Sequence, residues 1–329
     1  MSIFQQIEDL ELRAAVQRTN VKSAADLIEL TVRRKNIRSL AGLEAFANLR
    51  KLDLEGNEIT DLSPVARLDH LTGLYVGNNN ISDVTPLRSL RQLPALDLHG
   101  NNLVSLAGLD GPRKLTWFDV SHNRVDSLHW VADSTYLTTL TAHDNFIGSM
   151  DGINGLKRLR MLNVDSNSLA GTQKIANLPY LRQLSIARNA VTAFDIGNEI
   201  PSLDSLNVSG NQIHDIRFLI NLPNLKSLNL SENPLSDPQL VRHCSKLKVL
   251  YLWHTGIKAL SGIETLSDLE ELGLADNCLA DISEVLSLNN LKLLFLGGND
   301  AIPEQQVVQA GSVVKEDFRV PGWKSSMEE

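Results

Sequence analysis

Residues 49–59 read Leu49-Arg50-Lys51-Leu52-Asp53-Leu54-Glu55-Gly56-Asn57-Glu58-Ile59. Twenty-two residues further on, the same template returns at Leu71, Leu74, Val76, Asn79 and Ile81. The first leucine recurs at 27, 49, 71, 93, 115, 137, 159, 181, 203, 225, 247, 269 and 291, with no insertion or deletion across twelve steps. A fixed period of this length predicts stacked coils, each burying its apolar side only against its neighbours. Such an array can run the full 329 residues without a single central core.

Within each repeat the segment x-Leu-x-Leu-x alternates with period two, which predicts a short strand with one buried face. Leu52 and Leu54, Leu140 and Ala142, and Leu272 and Leu274 are inward members. Stacking sets these strands side by side in one parallel sheet, about 4.8 Å apart. Asparagine recurs at 57, 79, 101, 123, 145, 167, 189, 211, 233, 277 and 299, where the chain leaves the strand. Its side chain offers donors and an acceptor to backbone groups that the sheet leaves unpaired. Lys35 and Thr255 interrupt this ladder.

The return path carries Ile59, Leu62, Val65 and Leu68, then Ile81, Val84, Leu87 and Leu90. Steps of three suit short 3-10 turns or extended segments, and Asp61-Leu62-Ser63-Pro64 and Asp83-Val84-Thr85-Pro86 add turn chemistry. Gly197 and Pro238 predict irregular return segments in the eighth and tenth repeats. The chain divides into a helical cap at 1–26, thirteen repeats at 27–299, and a cap and tail at 300–329. Ile3, Phe4, Ile7, Leu10, Ala14 and Val16 outline an amphipathic N-terminal helix. Ser23-Ala24-Ala25-Asp26 has the form of a capping box. Val307, Val308, Val313, Val314, Phe318 and Trp323 supply the second lid.

Composition narrows the function. Aromatic residues make up 5% of the chain against 43% apolar residues, so the core is aliphatic. A net charge of -8 without a basic block argues against nucleic-acid binding through phosphate neutralisation. Cys244 and Cys278 occupy different phases of the repeat, which excludes a disulfide framework and a C-x-x-C metal pair. No apolar run approaches the roughly 18 residues of a membrane span. The first nine residues show neither a basic n-region nor an apolar h-region, so a cytoplasmic location is expected, with secretion as the alternative.

The 22-residue spacing resembles the bacterial internalin family and the leucine-rich repeats of phosphatase-regulating subunits. Asn57-Glu58-Ile59-Thr60-Asp61-Leu62-Ser63-Pro64-Val65 is similar to an internalin repeat. The stretches from Ile7 to Val16 and from Val21 to Leu43 are similar to that family's helical cap and first strand. The resemblance covers about residues 4–299. It implies an α/β fold, a right-handed leucine-rich-repeat solenoid with a curved parallel sheet on the concave face, 3-10 or extended segments on the convex face, and terminal caps. It also implies partner recognition on the concave sheet.

Function in such a fold sits where the repeat does not dictate the residue. Outward strand positions in repeats seven to ten are small or polar, including Asn163, Ser185, Asn207, Ser209, Asn229 and Ser231. Two groups differ. Tyr75, Asp97, His99, Trp117, Asp119, His122, Thr141 and His143 span repeats three to six. Val249, Tyr251, Trp253, His254, Leu293 and Phe295 span repeats eleven to thirteen. Solvent-facing aromatics are typical interface anchors, so the reading is a non-enzymatic, monomeric module that binds another protein. An internalin-like adhesion protein or effector, and a regulatory subunit of a phosphatase or other enzyme, are alternatives within binding.

Asp97 and Asp119 share one column of the array, and His99 and His143 share a second, about 10 Å apart. Carboxylates and imidazoles can bind zinc or transfer protons, which gives a metal-dependent hydrolase as the reading from another class. Repeats, however, align like residues by construction. No nucleophile elbow, phosphate loop or paired metal motif accompanies them, so no catalytic residue, metal or cofactor is expected. Asn207-Val208-Ser209 and Asn229-Leu230-Ser231 fit glycosylation sequons but read as polar strand residues.

Overall fold

The computed structural model describes residues 3–109, 114–197, 200–235, 237–314 and 317–319. The chain forms two compact units, Met1–Ser168 and Leu169–Glu329. In the first, seven three-residue strands pair in parallel and in chain order. They are β1 (Glu29–Thr31), β2 (Lys51–Asp53), β3 (Gly73–Tyr75), β4 (Ala95–Asp97), β5 (Trp117–Asp119), β6 (Thr139–Thr141) and β7 (Met161–Asn163). Register follows the repeat: Leu30, Leu52, Leu74, Leu96, Phe118, Leu140 and Leu162 face one another in succession and are all buried.

The return segments of the first unit include the 3-10 turns Ser63–Arg67 and Thr85–Ser89. Asp61 and Asp83 accept the backbone N–H two residues on, at 2.8 Å in each case, and proline stands in the first turn. Proline needs no N–H partner there and its fixed φ suits the turn. The inward residues Ile59, Leu62, Val65 and Leu68 are fully buried.

The N-terminal cap differs from the expected single helix. A 3-10 turn, Ile3–Gln6, is followed by a break and then by α1 (Leu10–Arg18). Asp9 causes the break, because its carboxylate caps α1 by accepting from the backbone N–H groups of Glu11 and Leu12 at 3.0 and 3.1 Å. Leu10 therefore points to solvent, and Ile7, Leu12 and Val16 form the buried stripe. Gly42 lets the cap approach: a Cβ there would stand 2.3 Å from the Gln6 carbonyl oxygen. The capping box is present, with the Ser23 N–H donating to the Asp26 carboxylate at 2.8 Å.

The second unit begins differently. The return segments of repeats seven and eight are strands, β8 (Ala170–Ile175) and β10 (Ala190–Ile196), paired in parallel with a bulge between Val191 and Ala193. The main sheet here runs β9 (Gln183–Ser185), β11 (Ser205–Asn207), β12 (Ser227–Asn229), β13 (Val249–Tyr251), β14 (Glu271–Gly273), β15 (Leu293–Phe295) and β16 (Asp317–Arg319). The tenth repeat is regular after all. Pro238 is buried at the start of the 3-10 turn Gln239–His243, and Asp237 caps that turn as Asp61 does its own. Helix α2 (Glu304–Val313) covers the last repeats with Val307 and Ala310, while Val308 is exposed. Gln306 latches it by accepting from the Ile282 N–H at 2.9 Å and donating to Asp281 at 2.8 Å. Trp323, and the side chains of Ile3, Val313 and Phe318, lie outside the described residues.

Asparagine holds each coil to the next. The Asn145 side-chain carbonyl accepts from the Val125 N–H at 2.9 Å, and its amide nitrogen reaches the carbonyls of Val120, Ala142 and His143 at 3.0–3.2 Å. Where the ladder breaks, the following asparagine compensates. Asn57 accepts from the Lys35 N–H at 2.9 Å, and Asn277 accepts from the Thr255 and Gly256 N–H groups at 3.0 and 2.9 Å. Thr255 is buried, its hydroxyl 2.8 Å from Asn277 Oδ1 and 3.0 Å from the Leu252 carbonyl.

Candidate functional site

Two kinds of position carry the candidate side chains. One is the end of each strand. Asp53, Tyr75, Asp97, Asp119, Thr141 and Asn163 are register partners in the first unit, as are Tyr251, Gly273 and Phe295 in the second. The other is the residue before each ladder position, which has positive φ in every repeat, from Arg34 (54°) to Gly298 (74°). This left-handed residue turns the chain out of the strand, so its side chain stands on the rim of the sheet. His122, Asp144, His254 and Asp276 are rim residues of this kind.

In the first unit Tyr75 and Trp117 are half-buried, their rings 6.2 Å apart, and the Lys51 ammonium lies 5.7 Å from the Tyr75 centroid. Asp97 accepts from the His99 backbone N–H at 3.0 Å and lies 2.6 Å from His99 Nδ1. Asn78 Nδ2 stands 2.7 Å from His99 Nε2 and donates to it, which leaves Nδ1–H to donate to Asp97. The His99 ring lies across Gly77, where a Cβ would come within 2.2 Å of it. Burial pushes the Asp97 pKa up; the His99 hydrogen bonds oppose this, and the Asp119 charge on the next strand adds to the rise. Asp119 accepts from the Ser121 N–H and hydroxyl at 2.9 and 2.6 Å.

The Asp97, His99, Asp119 and His143 grouping of the alternative hydrolase reading does not converge among the described residues. His143 pairs instead with Asp144, at 2.6 Å, and packs edge to face on His122 with centroids 4.6 Å apart. Among the described residues, the group able to bring three metal-ligating atoms within 4.8 Å of one another is His122, His143 and Asp144.

In the second unit Trp253 is 40% exposed. Its ring lies 5.2 Å from Tyr251 and 5.7 Å from Phe295. The ring rests in a slot opened by Gly273, where a Cβ would fall 1.8 Å from Trp253 Nε1. The Tyr251 hydroxyl donates to Glu271; burial first, and that carboxylate second, push its pKa up. His254 stands apart on the rim. With Glu232, Pro234, Asp276 and Cys278 it lines a shallow groove of about 510 Å³ where the ladder breaks.

Comparison with known proteins bears on the fold. A family model described as "Leucine rich repeat" matches residues 47–103, and one described as "Leucine Rich repeats (2 copies)" matches 201–241. An internalin (inlF) from Listeria monocytogenes is 26% identical in a structural match covering 98% of each chain, with a TM-score of 0.78. The chain is a leucine-rich-repeat protein whose repeats resemble those of the internalins. A leucine-rich-repeat protein from Leptospira interrogans matches at 24% identity over 90% of this chain and 84% of its own, with a TM-score of 0.73. The LRIM1/APL1C complex matches at 23% over 80% and 50%, with a TM-score of 0.69. No curated protein matches the sequence.

Several leucine-rich-repeat surface features escape a reading by template. Asp53 is buried and takes two hydrogen bonds from the Arg33 guanidinium, at 2.9 and 2.6 Å, while Glu55 binds the same guanidinium at 2.9 Å. Extending the Tyr75–Asp97–Asp119 column back by one repeat would have found Asp53. Tyr136 is clasped by Lys114 and Arg158, at 4.4 and 4.5 Å from its ring, from the same phase of the two flanking coils. Glu271 and Asp144 were passed over because a strand pattern does not reveal which rim and strand side chains meet. No helix among the described residues is long and apolar enough to cross a membrane.

Proposed function

We propose that this leucine-rich-repeat protein is a non-enzymatic interaction module that binds a partner protein on the outward side of its strands. The observation that carries the reading is the Trp253 ring, exposed and flanked by Tyr251 and Phe295. Large aromatic surface kept in water is unfavourable in isolation, and aromatic side chains dominate the energetics of protein interfaces. Tyr75 and Trp117 offer a second anchor in the first unit, with Asp97 and its His99 partner from the coil between them. Between the two in sequence, Asn207, Ser209 and Asn229 offer hydrogen bonds but little apolar area.

The test is capture of partners from the native cell, followed by titration of Trp117→Ala, Trp253→Ala and Ser209→Ala. Each tryptophan variant is expected to weaken binding by about 2 kcal/mol or more. Ser209→Ala is expected to change it by less than about 0.5 kcal/mol. Wild-type binding by both tryptophan variants, with loss in the return-side variant Trp130→Ala, would move the interface to the other side of the repeats.

A further inference from the structure

We propose that His122, His143 and Asp144 form a binding site for a zinc-class divalent metal ion. Nδ1 of His143 lies 2.6 Å, and Nδ1 of His122 3.5 Å, from Asp144 Oδ2. A tetrahedral zinc ion holds imidazole nitrogen and carboxylate oxygen at about 2.0–2.2 Å, which places neighbouring donors roughly 3.3 Å apart. The separations bracket that value, so small side-chain rotations bring the donors onto one centre. The two rings stand at 88° to each other, so their nitrogens approach the carboxylate from different directions.

The backbone beneath is fixed. His122 donates its N–H to the His143 carbonyl at 2.9 Å, and Asp144 donates to Asp165 at 2.9 Å. His122 and Asp144 hold left-handed φ values of 54° and 53°, and each precedes a buried ladder asparagine. Repeat five thus supplies one ligand and repeat six two. His122 and Asp144 are 56% and 45% exposed, which leaves a fourth coordination position open to water. Two nitrogens and one oxygen suit zinc and its neighbours better than calcium or magnesium, which take oxygen ligands.

The molecule contains its own control. His254 and Asp276 occupy the same rim positions on consecutive coils, but Ala275 stands where His143 stands in the first unit. Among the described residues no three-ligand group forms there. The inference is independent of whether the sheet binds a protein.

The test uses the full, untagged chain stripped with EDTA. It is titrated calorimetrically with zinc chloride, then with cobalt(II) read by its d–d absorption. One equivalent and a four-coordinate cobalt spectrum are expected. His143→Ala and His122→Ala should each weaken binding by about tenfold or more, and His254→Ala should leave it unchanged. Unaltered melting curves of the metal-free variants check folding, since none of these side chains is part of the buried core. The site is overturned if wild type shows no saturable uptake, or if both His122→Ala and His143→Ala bind like wild type.

Discussion

Repeats three to six and repeats eleven to thirteen use the same positions to build opposite surfaces. In the first, the strand-end column runs Tyr75, Asp97, Asp119, so two carboxylates follow the tyrosine of the aromatic pair. In the second it runs Tyr251, Gly273, Phe295, and the missing side chain admits the Trp253 ring between its neighbours. The ladder beneath differs too, with Asn145 under the first surface and Thr255 under the second. Two column positions, Asp97 against Gly273 and Asp119 against Phe295, therefore separate the polar surface from the apolar one. A repeat fold can change its binding chemistry in this way without altering its backbone.

The sharpest separation of the two regions is energetic. Asn145→Leu strands the Val125 N–H and takes one donor each from the Val120, Ala142 and His143 carbonyls, which keep a second, and is expected to cost about 2–4 kcal/mol of stability. Overlapping urea melts for variant and wild type would remove the ladder's structural role. Binding comes next. Gly273→Ala forces the Trp253 ring off the sheet, so it should match Trp253→Ala, a loss of about 2 kcal/mol, with red-shifted tryptophan emission. Gly148→Ala is the control, because a Cβ there meets nothing within 4 Å. Wild-type affinity in Gly273→Ala would mean that the slot does not shape the anchor. Smaller again is Thr255→Val, expected at about 1 kcal/mol. The Leu252 carbonyl and the Thr255 N–H keep their Asn277 partners, and one buried hydroxyl contact is lost. A cost equal to that of Asn145→Leu would show that the break in the ladder is not compensated.

The array was legible because the leucine period fixes the register of β1–β7, β9 and β11–β15, and Leu52, Leu140 and Leu272 face inward as the alternation requires. The caps were less so, since one carboxylate, Asp9, decides where α1 starts and turns Leu10 outward. Strands β8 and β10 were missed. Val191, Thr192, Phe194 and Ile196 favour a strand, but the pairing forms only because a matching segment lies 20 residues earlier. Of the candidate sites, the aromatic clusters could be read because register alone places them. The His122, His143 and Asp144 group could not, because His143 lies past the end of β6 and meets the two rim residues only through the left-handed turn.

The smallest predicted effect tests the polar character of the first surface. Burial is the largest influence on Asp97 and raises its pKa above the ordinary carboxylate value; the His99 hydrogen bonds only partly offset it. The native state therefore binds the Asp97 proton more tightly than the unfolded chain does. In that case the group's contribution is fully present below the ordinary value and is lost as pH rises through the raised one. At neutral pH the ionised carboxylate weakens the fold, through its desolvation and its repulsion from Asp119. Asp97→Asn keeps an oxygen for the His99 N–H and removes the charge. It should be more stable than wild type at neutral pH by less than about 1 kcal/mol, a figure held low because the carboxylate keeps contact with solvent. The advantage should vanish near about pH 3, where wild-type Asp97 is protonated as well. Gly273 holds the corresponding place in the second surface, so no such dependence arises from that column position. Urea melts of the two proteins at both pH values decide the matter. A stability difference that does not change with pH would mean that Asp97 is not charge-strained.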